Sequence, residues 1–211
     1  MPIVAPEHRP TLREELAPLP ARARWAVIGA LALLGLALLV AVTRGATEAG
    51  TRAVVDGPAF AFNLRYPDSF ARVDPAAGEL IHLEREGLDS FVVEPLRLPA
   101  YRGDVGGVLP IVAARELDAL RRRFPRLEPV EEGKARINQV AGYTLAFRAS
   151  RRPRLYGRLT LLPQPVPGAR DGVKLLMLAN PDAGAGKAQD VGTSGQVKTP
   201  YRSFRFGTEG P

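Results

Sequence analysis

One short stretch of the sequence carries the side chains that most often bind divalent metals. His82, Glu84 and Glu86 alternate along the chain, so on a strand they would share one face. An imidazole and two carboxylates on one face could contact a hard cation. Metal ligands usually come from several elements, however, and a solvent-facing strand explains the same pattern. We therefore predict no metal site and no cofactor.

A second stretch has part of the pattern of a phosphate-binding loop. The sequence Gly184-Ala185-Gly186-Lys187 contains the Gly-Lys pair of such a loop. It lacks the earlier glycine of the motif, and Ala188 stands where Ser or Thr would hold magnesium. We therefore predict that it binds no nucleotide.

Arginine is concentrated at two places that could together attract an anion. The first group is Arg121, Arg122, Arg123 and Arg126, and the second is Arg148, Arg151, Arg152, Arg154 and Arg158. If the fold brings the groups together, they form an anion-binding surface of Arg121, Arg122, Arg123, Arg126, Arg151, Arg152 and Arg154. Lipid headgroups or acidic envelope polymers would be its ligands. Nucleic acid is not expected, because Tyr156 alone lies among these residues as a stacking side chain. The simpler alternative is the solvated surface of an Arg-rich protein.

The composition excludes several kinds of chemistry. With 211 residues, 45% of them apolar and 24% charged, the chain has the composition of a globular protein with room for one domain and appendages. It has no cysteine, which removes disulfides, thiolate metal sites and cysteine nucleophiles. Since there are only two histidines, a Ser-His-Asp triad is difficult to assemble.

An uncharged stretch near the N-terminus has the length of a membrane span. Residues 25–43 carry no charge, and residues 25–42 are all apolar or Gly. At about 1.5 Å per residue this run approaches the ~30 Å thickness of the hydrocarbon layer. A cleaved signal peptide is the main alternative, but its apolar core is usually about 7 to 15 residues long and precedes a small-x-small site. We predict an uncleaved transmembrane helix.

The charges around this stretch predict its orientation. Four arginines precede it and two follow it closely: Arg9, Arg13, Arg22 and Arg24 before, Arg44 and Arg52 after. The positive-inside rule then places the tail in the cytoplasm and the remainder outside the cell membrane. The predicted organisation is a Pro-rich cytoplasmic tail at 1–24, a transmembrane helix at 25–43, a linker at 44–53 and an extracytoplasmic domain at 54–207.

The domain begins with the two-residue period of strands. Phe60, Phe62, Leu64 and Tyr66 alternate with small or polar residues, which predicts a half-buried strand. A turn at Pro67 and Asp68 should end it. Residues 80–84 and 90–96 are predicted to pair as a hairpin around Gly87.

One soluble helix is predicted at 109–124. Its apolar residues recur at spacings of three and four, which predicts a buried face of Ile111, Ala114, Leu117, Leu120 and Phe124. Arg115, Glu116 and Asp118 should then face solvent. Pro110 fits the first turn and Pro125 ends the helix.

More strands follow the helix. They are predicted at 135–139, 142–149, 154–162 and 173–179, with a last edge strand at 201–206. Residues 180–199 are rich in Gly, Ala and Asp and are predicted to form either a flexible loop or a frayed segment in place of a helix. Strands, one main helix and further strands predict an α+β domain, in which an antiparallel sheet packs against that helix.

Short motifs spread over the domain resemble the PsbP-like and Mog-type α/β/α sandwich superfamily, particularly its membrane-anchored bacterial envelope members. They are Phe62-x-x-x-Tyr66-Pro67-x-x-Phe70, Arg136-Ile137-Asn138, Ala141-Gly142-Tyr143, 158–162 and Ser203-Phe204-Arg205-Phe206. The resemblance covers residues 54–206. It implies a central antiparallel sheet flanked by helices, used mainly for binding rather than catalysis. The sequence departs from the pattern in the stretch before the final motif, where such domains usually have a helix.

These observations predict a non-enzymatic, membrane-anchored binding or scaffold domain in the cell envelope. Its expected partners are membrane lipid, through the anchor, and an envelope protein or anionic polymer. Two alternatives stay open: a lipid- or polymer-binding module that uses the arginines, and an envelope hydrolase in which a serine meets a base.

Overall fold

The computed structural model describes residues 20–46, 50–57, 61–87, 89–124, 126–149 and 155–209. The chain divides into two units, Met1–Glu48 and Ala49–Pro211.

The first unit contains the helix α1, Ala21–Ala46. Its 26 residues have a length of about 39 Å as an α-helix. Ala and Leu favour this conformation and no proline interrupts it. The described side chains between Trp25 and Leu36 are exposed. Within the part of the chain that the structure describes, no helix combines the length and apolar character needed to cross a membrane.

The described residues of the second unit form two antiparallel sheets. The strands are β1 (Thr51–Asp56), β2 (Ala61–Tyr66), β3 (Ala71–Val73), β4 (Ile81–Arg85), β5 (Asp89–Arg97), β6 (Leu127–Ile137), β7 (Val140–Ala149), β8 (Leu155–Pro163), β9 (Asp171–Ala179) and β10 (Arg205–Phe206). The small sheet has the order β1-β2-β10 and the large sheet the order β3-β4-β5-β9-β8-β7-β6. Every strand pairs antiparallel with its neighbours.

The predicted strand, turn and hairpin of the first half are confirmed, although Phe60 lies outside the described residues. In β2, Phe62, Leu64 and Tyr66 are buried and Arg65 is exposed as predicted, but Asn63 is buried as well. The turn is closed by the backbone N–H of Phe70, which donates to the carbonyl of Pro67 at 2.9 Å. β4 and β5 form the predicted hairpin, and Gly87 adopts φ +70° at its turn, a conformation that glycine adopts without steric cost.

The large sheet is buried on both faces. On β9, Val173, Leu175 and Met177 pack with Phe62 and Phe204 of the small-sheet layer. Leu176, on the opposite face, packs with the residues of the main helix, α2 (Leu109–Arg123). The domain is therefore a sandwich of helix, large sheet and small sheet.

The predicted helix exists, and of its predicted buried face Leu120 and Phe124 are buried and Leu117 is half-buried, but Ile111 and Ala114 are exposed. Leu109, Val112, Ala113 and Leu120 are the buried residues of α2, whereas Ile111 is 55% exposed. At about 100° per residue, Ile111 lies nearly opposite Leu120. Spacings of three and four residues counted from Leu109, rather than from Ile111, give the observed buried face.

This rotation of α2 also changes the position of Glu116. It is half-buried rather than solvent-facing, and it pairs with Lys174 of β9 at 3.1 Å. The Glu116 carboxylate can therefore lie on the face of α2 that packs against the sheet, because Lys174 provides an ion-pair partner there.

The segment predicted as a flexible loop is ordered. It contains 3₁₀ turns at Pro181–Ala183 and Ala188–Asp190 and the short helix α3, Lys198–Ser203. Ala185, Val191 and Val197 are buried in the small-sheet layer. These apolar residues stand six positions apart, which is neither the two-residue period of a strand nor the 3.6-residue period of an α-helix, and the sequence pattern therefore does not reveal them.

Two strand predictions need correction. The first half of the predicted edge strand at 201–206 belongs to α3, and only Arg205–Phe206 form a strand, which pairs antiparallel with β2. The predicted strand at 135–139 is much longer, because β6 already begins at Leu127. Its outer positions are charged and exposed, so β6 lacks the apolar alternation of the central strands.

Candidate functional site

Three of the predicted anion-binding arginines lie in the last turn of α2. Arg121, Arg122 and Arg123 are all exposed there, where the carbonyl end of the helix dipole favours positive charge. Arg121 pairs with Asp118 at 3.0 Å. The guanidinium of Arg123 lies 5.2 Å from the ring centroid of Phe124, within the range of a cation–π contact.

Arg126 extends this surface beyond the helix. It is exposed and adopts a positive φ of 66°, just before β6 begins. Arg122, Arg123 and Arg126 form no ion pair with any other described residue. We call Arg121, Arg122, Arg123 and Arg126 the basic end of the domain.

The second predicted arginine group does not join the basic end as a whole. Arg148 pairs with Glu128 at 2.6 Å, and Arg158 is buried. Both lie on the sheet face opposite α2, because their neighbours Phe147 and Leu159 pack with the helix. Arg151, Arg152 and Arg154 lie outside the described residues.

The strand register nevertheless brings the two chain segments to one end of the sheet. Leu127 of β6 pairs with Ala149 of β7, and Ala149 pairs with Leu155 of β8. The chain therefore leaves β7 and enters β8 beside the strand that follows Arg126.

Arg158 is the centre of a buried polar network. Its side chain donates three hydrogen bonds: Nε to the carbonyl of Val191 at 2.6 Å, Nη2 to the carbonyl of Gln189 at 2.7 Å, and Nη1 to Oγ1 of Thr144 at 3.2 Å. The Thr144 and Thr160 hydroxyls are 3.1 Å apart, and Thr160 Oγ1 lies 3.2 Å from the hydroxyl of Tyr201. The network joins β7 and β8 to the C-terminal segment.

The arginine-rich neighbourhood of Arg158 predicts a surface position and conceals this network. The signal in the sequence is that Arg158 and Thr160 are polar residues on one face of an otherwise apolar strand. Since the guanidinium donates to carbonyls of its own chain, its role is to hold the 188–191 turn on the sheet.

A buried carboxylate lies at the β4–β5 hairpin. Asp89 Oδ2 is 2.8 Å from Nη2 of Arg85, and the Asp89 side chain is 1% exposed. Burial raises the pKa of Asp89 to about 6, although the charge and hydrogen bond of Arg85 act in the opposite direction. The pair is internal to the hairpin.

A third charged group lies between α2 and the sheet. Lys174 Nζ is 2.8 Å from Oε2 of Glu94 and 3.1 Å from Oε2 of Glu116. Burial lowers the pKa of Lys174, but the two carboxylates raise it by more, so the net direction is upward. The amine is therefore held as a charged link between helix and sheet.

The histidine stretch is not assembled as a ligand set. His82 Nδ1 lies 3.0 Å from Oε2 of Glu79, whereas Glu84 and Glu86 are exposed. No group of three His, Cys, Asp or Glu side chains suited to a metal occurs among the described residues.

Two described serines bond to the backbone. Ser194 Oγ donates to the carbonyl of Asp190 at 3.2 Å, and Ser203 Oγ lies 2.7 Å from the carbonyl of Thr199 and 3.1 Å from that of Arg65. Their hydroxyls contact carbonyl oxygens rather than a side-chain base.

The sequence matches no protein-family model and no curated protein. Solved structures are similar to it in fold. Cyanobacterial PsbP (CyanoP) from Synechocystis sp. PCC 6803 aligns with a TM-score of 0.53 at 12% identity, covering 75% of this chain and 94% of that one. Similarity is lower for the Ran-binding protein Mog1p of Saccharomyces cerevisiae, with a TM-score of 0.47 at 12% identity over 74% and 94% of the two chains. For LpqN of Mycobacterium tuberculosis, involved in cell envelope biogenesis, the TM-score is 0.49 at 11% identity over 77% and 87%. The sandwich described above thus has a PsbP-like α+β fold. The resemblance implies a sheet flanked by helices, whereas here the small sheet covers the face opposite α2.

Proposed function

We propose that this chain is a single-pass membrane protein whose domain lies outside the cytoplasm and serves as a binding or scaffold module without a catalytic site. The observation that carries the proposal is a feature of the sequence, the uncharged run at 25–42.

The run and its flanks support an anchor. Eighteen uncharged residues, 25–42, span about 27 Å as a helix, close to the ~30 Å hydrocarbon layer. Arg22 and Arg24 precede the run and Arg44 follows it. Trp25 lies at its start, where an interfacial ring is favoured.

The polar groups of the domain support a non-catalytic role. Arg158 holds the 188–191 turn, Lys174 links α2 to the sheet, and Asp89 pairs within its hairpin. Each contacts a group of its own chain, so these charges serve the fold. This supports a module that binds rather than catalyses.

Alkaline extraction of membranes tests the anchor. The full chain should stay in the membrane pellet at high pH with its intact mass. Replacing Leu33 and Leu36 together by Arg adds two charges within the run, each costing about 3 kcal/mol of insertion free energy near a helix centre. This variant should move to the soluble fraction.

The matched control replaces the same two leucines by Met, which keeps the run apolar. Extraction of the wild-type chain with alkali, or equal behaviour of the Arg and Met variants, would contradict the anchor.

The basic end favours a second function, binding of anionic lipid headgroups. Arg122, Arg123 and Arg126 are exposed and lack an ion-pair partner among the described residues. Each basic group close to an anionic surface contributes about 1 kcal/mol of binding free energy. Such a surface would strengthen apposition of the domain to a membrane.

Calorimetric titration of the full chain in neutral detergent with short-chain phosphatidylglycerol tests this function. Binding should weaken with salt and be lost when Arg121, Arg122 and Arg123 are replaced by Ala. The control is Arg65, Arg72 and Arg205 to Ala, an equal change of charge at other exposed positions. Equal losses in the two triple variants would show that only net charge matters.

A further inference from the structure

The outer edge of the large sheet is a long exposed strand. β6 has 11 residues, from Leu127 to Ile137, and is the terminal strand of the order. One of its edges pairs with β7, and no described strand pairs with the other. The backbone N–H and C=O groups that point outward from such an edge are available to a further strand.

The charges of β6 change sign along its length. Glu128, Glu131 and Glu132 lie in the first half, whereas Lys134 and Arg136 lie in the second. All five are exposed. An antiparallel copy of the same strand would place the acidic half of each opposite the basic half of the other, whereas a parallel copy would oppose like charges.

We propose that β6 is a self-association surface, on which two copies of this chain pair antiparallel about a two-fold axis at Gly133. The pairing joins the two large sheets into one continuous sheet. The interface is isologous, as in most homodimers. It is formed by the second unit alone and does not depend on the membrane anchor.

Electrostatics selects the register. With Gly133 opposite its own copy, Glu132 lies opposite Lys134 of the partner, and this ion pair occurs twice by symmetry. Shifting the axis to residue 132 places two glutamates opposite each other, and shifting it to residue 134 places two lysines there. Since side chains of opposed residues share one face, shifts by half a residue are excluded.

The same strand carries features that restrict the pairing to its centre. Pro129 has no backbone N–H to donate, and the register with β7 shifts between Pro129 and Glu131. A paired segment of residues 130–136 leaves Pro129 outside. A proline, a bulge and a strand with one acidic and one basic half oppose edge pairing with unrelated strands. They permit antiparallel pairing with a second copy of β6 about Gly133.

Because the chain has no cysteine, an engineered one reports the contact directly. A Cβ at Gly133 meets no atom within 4 Å, so Gly133→Cys is sterically accommodated. Antiparallel partners have Cα atoms about 4.5 to 5.5 Å apart, within the range of a disulfide. Mild oxidation of the full-length variant should therefore give a disulfide-linked dimer.

Glu84→Cys is the control for random collision. Glu84 is an exposed strand residue on β4, near the opposite end of the strand order. Cross-linking of Gly133→Cys should exceed that of Glu84→Cys at low micromolar protein concentration. Equal yields from the two variants would overturn the proposal.

Charge reversal then tests the register. On the Gly133→Cys background, Glu132→Lys or Lys134→Glu alone opposes like charges twice, and each should lower the rate of cross-linking about fivefold. Combining the two substitutions restores opposite charges and should restore the rate. Circular dichroism verifies that each variant is folded. If the folded double variant cross-links no faster than the single variants, the proposed pairing is wrong.

Discussion

The role of Arg158 depends on its structural environment rather than on its neighbours in the sequence. Its sequence neighbourhood is rich in arginine, yet it lies on a buried strand face and donates to two backbone carbonyls and one hydroxyl. A buried cation without these acceptors would be strongly destabilising. The carbonyls of Gln189 and Val191 in turn depend on the guanidinium for their hydrogen bonds.

Replacing Arg158 by Met should therefore destabilise the domain. It leaves two buried carbonyls without their charged donor, and we expect a loss of about 2–4 kcal/mol in the free energy of unfolding. Urea unfolding of the unit Ala49–Pro211 measures the loss. The control is Arg148→Met, which removes an exposed pair with Glu128 and should cost less than about 1 kcal/mol. Equal losses would contradict the structural role of Arg158.

Asp89 should give the stability of the domain a distinct dependence on pH. Its folded pKa is about 6, against 3.8 for an ordinary aspartate. The folded state therefore binds the proton more tightly than the unfolded state does. The resulting stabilisation is present below about pH 4 and is lost as pH rises through about 6, a change of about 3 kcal/mol.

The measurement compares the wild type with Asp89→Asn by urea unfolding between pH 4 and 7. Because the other carboxylates contribute equally to both, the difference isolates Asp89. The stability of the wild type relative to the variant should fall as pH rises. A constant difference across this range would contradict the raised pKa.

At the scale of elements, alternating apolar residues predict the strands correctly, whereas the spacing of apolar residues does not predict which face of α2 is buried. The strands β2, β4 and β5 follow from alternating apolar residues, and the turn at Pro67 follows from proline. Ile111 and Val112 are equally apolar, and each belongs to a run of apolar residues at helical spacing. The spacing alone therefore does not tell which of the two faces packs against the sheet. The first part of β6 is not predicted, because the exposed edge strand lacks the apolar alternation by which strands are recognised.

Truncating Leu120 and Ile111 tests the orientation of α2. Leu120 is 8% exposed and Ile111 is 55% exposed. Leu120→Ala should lower the free energy of unfolding by about 2–4 kcal/mol, and Ile111→Ala by about 0.5 kcal/mol. Chemical denaturation of both variants gives the comparison. A loss for Ile111→Ala as large as that for Leu120→Ala would contradict the observed orientation of α2.

The candidate site was predictable only in part. The position of Arg121, Arg122 and Arg123 on one exposed turn follows from the helix and its terminating proline, whereas their binding of an anion stays a prediction. The separation of Arg148 and Arg158 from them could not be predicted, since it depends on which strand face packs against α2.

At the scale of the whole molecule, the sandwich fold follows from the order of strands, helix and strands together with its short motifs. Tyr66-Pro67 closes a turn, and Asn138 Nδ2 donates to the carbonyls of Arg202 and Phe204 at 2.8 and 2.6 Å. Asn138 therefore ties the β6–β7 turn to the C-terminal segment.

The central claim is that this domain lies outside the cytoplasm, held by an uncleaved anchor. Protease treatment of intact cells that carry the full chain with a C-terminal tag tests it most directly. We predict that the intact mass is retained before treatment and that external protease then digests the tagged domain, while a cytoplasmic control protein is protected. Protection of the domain in intact cells, with digestion only after permeabilisation, would place it in the cytoplasm and contradict the proposed topology.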